Sequence, residues 1–199
     1  MNRILAVVAL LAAATGVFAD THTWVGGNSS GGGWNVAANW TNEVGEAECP
    51  SAGDVALLNR KGETVVANDD DAALFCSLQR VKLDSWADDG CQTLVLDVST
   101  NVLVGCAING YGTFIKRGDG TATLDSTCRD GMSAAYGYWA VYDLIYGGIC
   151  VEAGTLVFPQ GKDFSYCLRW GGLTVAAGAT FSFARSNVTL RSSFSGLTG

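Results

Sequence analysis

Two stretches near the end of the chain carry one pattern. Gly147-Gly148-Ile149-Cys150-Val151-Glu152-Ala153-Gly154 is followed, 24 residues on, by Gly171-Gly172-Leu173-Thr174-Val175-Ala176-Ala177-Gly178, and the shared motif is G-G-x-x-V-x-A-G. Self-similarity at a spacing of roughly 20–50 residues is the mark of a solenoid, in which one unit cannot bury its apolar face alone and stacks on its neighbours. The 26 glycines of the 199 residues then have a task, because each unit turns corners that need φ > 0 and stacks closely on the next. They show no G-x-y period, which excludes collagen, and only 2 prolines exclude a rigid linker or mucin-like stalk. The competing architecture is an antiparallel β-sandwich in which the two stretches are glycine-rich hairpins.

Between the glycines lie short runs rich in β-branched and aromatic residues. They begin at Val81, Thr93, Val102, Thr113, Ala122, Thr155, Leu173, Thr180 and Val188, most are bounded by Gly, Asp, Asn or Ser, and almost no helical periodicity interrupts them. An apolar content of 48% with 16% charge provides a core for such strands. The expected class is all-β.

The N-terminus reads as a secretory signal peptide over residues 1–19. Arg3 provides the positive region, Ile4 to Ala14 the apolar region, and Val17-Phe18-Ala19 a small-residue cleavage site before Asp20. That apolar run is shorter than the roughly 20 residues of a spanning helix, and no transmembrane segment is expected in the mature chain. Export places the chain in an oxidising compartment, where Cys49, Cys76, Cys91, Cys106, Cys128, Cys150 and Cys167 can form up to three disulfides, with pairing open. None forms a C-x-x-C, which excludes zinc-ribbon and thioredoxin-like sites. Cys76, Cys91 and Cys106 fall fifteen apart, which suggests equivalent places on successive units. The formal charge of −7, more negative once Arg3 is removed, excludes nucleic acid as a partner.

Gly112-Thr113-Phe114-Ile115-Lys116-Arg117-Gly118-Asp119-Gly120-Thr121-Ala122-Thr123-Leu124, followed by Tyr146-Gly147-Gly148-Ile149-Cys150-Val151-Glu152-Ala153-Gly154-Thr155-Leu156-Val157, resembles the autotransporter-associated β-strand repeat. Members run G-x-L-x-K-x-G-x-G-T-L-x-L and then Y-x-G-x-x-x-V-x-A-G-x-L. Trp24-Val25-Gly26-Gly27, the stretch from Gly33 to Trp40, and Pro50-Ser51-Ala52-Gly53-Asp54 are similar to the region that opens mature proteins of this kind. The resemblance implies a right-handed parallel β-helix, exported and displayed at or beyond a bacterial outer membrane. The chain departs from the family in its seven cysteines, in lacking a C-terminal transport barrel, and in the residues inserted between the halves of the repeat.

On this reading residues 1–19 are the signal peptide, 20–60 a Trp- and Gly-rich cap, and 61–199 the coils, with an aromatic-rich insertion at 127–146. Trp24, Trp34 and Trp40 suit a cap that covers the first open strand edge. Within the insertion Tyr136, Tyr138, Trp139 and Tyr142 are the candidate ligand-binding residues, since Tyr and Trp join an apolar face to a polar handle. The alternative for them is burial as core. Asp69-Asp70-Asp71 and Asp88-Asp89 read as solvated turns, with paired carboxylates for polysaccharide cleavage or oxygen ligands for calcium as the alternatives, and His22, the single histidine, as part of a frayed terminus. No catalytic residue, metal site or cofactor is expected.

The function expected is that of a secreted or cell-surface structural or adhesive protein. Its partners would be glycans or surface proteins of a host or neighbouring cell. The rivals are a carbohydrate-active β-helix enzyme, lyase or hydrolase, and a small disulfide-stapled glycan-binding module. Asn187 to Gly199 shows no evident cap, which leaves open that the chain is part of a longer surface protein.

Overall fold

A computed structural model describes residues 19–26, 32–84, 92–124, 145, 147–158 and 172–183. Residues 1–18, which hold most of the expected signal peptide, lie outside the described residues. So does the strand read at Val188.

The described chain is built mostly of strands in three sheets. The first sheet holds β1 (Thr21–Trp24), β3 (Trp40–Thr41), β4 (Val55–Leu58), β6 (Arg80–Leu83) and β9 (Ala107–Gly110) in the order β3-β1-β4-β6-β9. The second runs β2 (Gly32–Gly33), β5 (Thr64–Asn68), β7 (Thr93–Asp97), β10 (Thr113–Arg117), β12 (Ile149–Val151), β14 (Leu173–Val175). The third runs β8 (Val102–Val104), β11 (Thr121–Leu124), β13 (Thr155–Phe158), β15 (Thr180–Phe183). One pairing, β1 with β3, is antiparallel. Every other ladder is parallel, against the antiparallel pairing that the sandwich alternative requires.

The chain visits the sheets in rotation. After β6 in the first sheet it enters β7 in the second and β8 in the third, then repeats the circuit through β9, β10 and β11. Facing residues therefore return at uneven intervals: Val65, Leu94, Phe114, Ile149 and Leu173 form one column across the second sheet. These intervals run from 20 to 35 residues, so the fifteen-residue cysteine spacing is not a circuit length. Strand alternation aims each column at one core, with Val65, Leu94 and Phe114 fully buried. Burying such side chains contributes about 1.5–3 kcal/mol each.

On the circuit through β4 and β5 a helix replaces the third-sheet strand. The six-residue α1 (Ala72–Ser77), absent from the sequence reading, lies beside β8, and the Phe75 carbonyl accepts the amides of Gly105 and Cys106. Its Phe75 packs on Trp34 with ring centroids 4.9 Å apart. Trp34 meets Trp40 edge-on at 4.8 Å, and Trp40 meets Trp24 at 5.0 Å. All three tryptophans are buried.

The two G-G-x-x-V-x-A-G stretches lie side by side. Ile149 faces Leu173 and Val151 faces Val175, the 24-residue offset read from the sequence, but Thr155 faces Thr180 and Leu156 faces Phe181, an offset of 25. Ala179 is the extra residue, admitted at the turn after Gly178. With it Leu156 and Phe181 keep the same strand parity, whereas a constant offset of 24 would set Leu156 against Thr180.

Corner length varies far more than strand length. Between the third-sheet side and the first sheet the chain spends two residues at Leu78-Gln79 and two at Gly105-Cys106. On the next circuit residues 125–144 separate β11 from Ile145, which bridges Gly110 at the end of β9. The aromatic insertion falls within this span of sequence, and all of it except Ile145 lies outside the described residues.

Candidate functional site

Tyr136, Tyr138, Trp139 and Tyr142 lie outside the described residues, as do Cys91, Cys128, Cys167, Asp88 and Asp89. Of the insertion only Ile145 is described, and it is buried. Cys49, Cys76 and Cys150 are free thiols, of which Cys76 is exposed, and Cys106 is buried. Burial raises the Cys49 and Cys150 thiols above their ordinary range, with Asp71 and Glu48 adding to the first and Glu152 to the second. Neither is an activated nucleophile.

The densest polar cluster lies at the start of the first sheet. In β1, Thr-His-Thr-Trp alternates outward and inward, which buries His22 with Trp24 instead of leaving it in a frayed terminus. Its Nδ1 lies 3.0 Å from the Glu48 carbonyl oxygen, and its Nε2 lies 3.2 Å from Oδ2 of buried Asp54. Pro50-Ser51-Ala52-Gly53-Asp54 forms the turn that delivers Asp54 to β4. There the Ser51 amide and hydroxyl donate to Asp54 Oδ2 at 2.8 and 2.7 Å. The Asp20 amide donates to Oδ1 at 3.2 Å. Burial alone would raise the Asp54 carboxyl, but the Ser51 donors, the Asp20 amide and His22 outweigh it and hold the group below its ordinary range. The Asp20 carboxylate, exposed, completes a group whose ligand atoms lie within 4.8 Å of one another.

Ser, His and Asp are present here without the wiring of a hydrolase. The Ser51 hydroxyl donates to the Asp54 carboxylate, and the imidazole faces that carboxylate in place of the hydroxyl. The sequence did carry the signal: alternation in Thr21–Trp24 puts His22 on the face of Trp24. The 32 residues from His22 to Asp54 hide their pairing.

Two further polar groups join neighbouring circuits. Asp69, expected in a solvated turn, is exposed but accepts from the amides and hydroxyls of Ser99 and Thr100 at 2.6–3.1 Å. Those donors, the Ser99 hydroxyl first, hold its carboxyl well below the ordinary range. Asp71, next along, is buried and accepts the Asn68 amide, and its burial raises the carboxyl. Lys116 occupies an inward position between Leu96 and Val151 and is fully buried. Its ammonium donates to carbonyls of Arg117 and Gly118 on its own circuit, Val98 on the one before and Ala153 on the one after. Burial lowers its pKa against the opposing pull of Asp97, Asp119 and Asp69.

Among the described residues no helix is long and apolar enough to cross a membrane. No protein-family model, curated protein or solved structure matches the chain.

Proposed function

We propose that the chain is an exported structural or adhesive protein whose strands coil as a right-handed parallel β-helix, with residues 127–146 as the contact surface for glycans or surface proteins. The observation that carries this reading is the rotation of the chain through three sheets with parallel pairing between circuits. Stacked circuits make a stiff body whose strand edges are confined to its ends. Large excursions from such a body belong to its corners, the insertion lies in sequence between two strands of neighbouring sheets, and its Tyr and Trp content suits contact with sugars or proteins. The buried Trp24, Trp34 and Trp40 support the assignment of residues 20–60 to a cap, and they speak against these tryptophans as a glycan site. Export rests on residues 1–19, and the charge of −7 argues against nucleic acid.

The test is binding to a glycan array and to whole cells. Changing Tyr138 and Trp139 together to Ala is expected to abolish binding with the thermal midpoint unchanged, while Asp70→Asn and Asp88→Asn leave it intact. Polysaccharide cleavage that disappears on the Asp changes would replace this reading with the enzyme alternative.

A further inference from the structure

The His22–Asp54 contact sets two acceptors against each other. A carbonyl oxygen only accepts, so the Nδ1 that lies 3.0 Å from Glu48 O carries the ring proton. Nε2 then presents its lone pair to Asp54 Oδ2 at 3.2 Å, an oxygen that already accepts from Ser51. A second ring proton, or a cation bonded to both atoms from one side of the contact, reconciles the two acceptors. The exposed Asp20 carboxylate of the same cluster offers such a cation a third donor.

We propose that Asp20, His22 and Asp54 form a binding site for a divalent first-row transition cation, with Zn2+ as the representative probe. One imidazole nitrogen and two carboxylate oxygens suit such an ion and disfavour Mg2+, which prefers an all-oxygen shell. The 3.2 Å between Nε2 and Oδ2 is close to the edge of a tetrahedron, about 3.3 Å for bonds of roughly 2.0–2.1 Å. The outer partners are also in place: Glu48 O fixes the ring tautomer, and the Ser51 donors fix the carboxylate. Buried His22 and Asp54 form the floor, exposed Asp20 marks the entry, and a fourth position remains for water. No metal site was expected from the sequence, because its ligands lie on β1 and at the head of β4. The inference does not depend on the adhesive reading.

As the single histidine, His22 gives ring signals in an NMR spectrum that report this site without interference from the thiols. Zn2+ is titrated into the full chain at pH 7. The expected result is saturation near one equivalent, with the His22 Nε2 signal moving to that of a metal-bound nitrogen. Asp20→Asn changes an exposed residue and preserves the fold, and it is expected to weaken binding by at least the roughly 10- to 100-fold typical of losing an outer partner. Ring signals that stay those of an imidazolium throughout, or equal affinity in Asp20→Asn and the parent chain, would overturn the proposal.

Discussion

Gly154 and Gly178 hold equivalent places in the sequence pattern and unequal places in the stack. Both are in the left-handed region, at φ +65° and +85°. A Cβ on Gly154 would run into the carbonyl oxygens of Gly118 and Gly120 on the preceding circuit, whereas one on Gly178 meets nothing within 4 Å. Gly178→Ala should therefore cost only the local strain, about 1–2 kcal/mol. Gly154→Ala adds displacement of a neighbouring backbone and should cost clearly more, as urea unfolding of the two variants will show. Asp69 contributes to the acid side of the stability profile. Its folded-state pKa lies below the unfolded value of about 3.9, so its contribution is fully present above about pH 4 and is lost as pH falls toward the folded value. Asp69→Asn should be less stable than the parent at pH 7, and the gap should narrow as unfolding is measured below pH 4. A gap that widens in acid would refute the clamp.

At the scale of elements, the strands bounded by glycine and polar turns were legible in the sequence. Val81, Thr93, Val102, Thr113, Ala122, Thr155, Leu173 and Thr180 all begin or fall in strands of the structure. Other elements escaped for physical reasons. Thr21–Trp24 is too short and polar to read as a strand until its partners Val55–Leu57 are known. Ala72–Ser77 spans fewer than two turns and shows no period, and it is held as a helix by its fit against β8. The one-residue shift between the repeats was hidden because Ala179 continues an apolar pattern without a gap signal. Lys116 was visible as part of the motif, but its burial depends on carbonyls from three circuits, which spacing cannot supply. Of the site, only the His22–Trp24 alternation was readable. The helix carries its own prediction. Phe75→Ala removes the ring that packs on Trp34 and should cost about 3–5 kcal/mol, while Cys76→Ser, exposed on the same helix, should be near neutral in thermal unfolding.

For the whole molecule, the columns of the three sheets make one account of how an uneven repeat folds. Circuits of 20 to 35 residues stack in register because the strands keep their parity and the corners absorb the difference. Short corners such as Gly105-Cys106 need close backbone contact with α1, and long ones leave the columns undisturbed. Lys116, Asp69 and the packing of Phe114 between Leu94 and Ile149 then tie each circuit to the next. The proposed surface role uses this division: the columns hold the body, and variation in length falls between strands. The most direct test is the set of interstrand NOEs in the isotopically labelled chain. Backbone contacts linking Val65, Leu94, Phe114, Ile149 and Leu173 in that order are the predicted result, and antiparallel contacts between the consecutive strands Thr113–Arg117 and Thr121–Leu124 would contradict it.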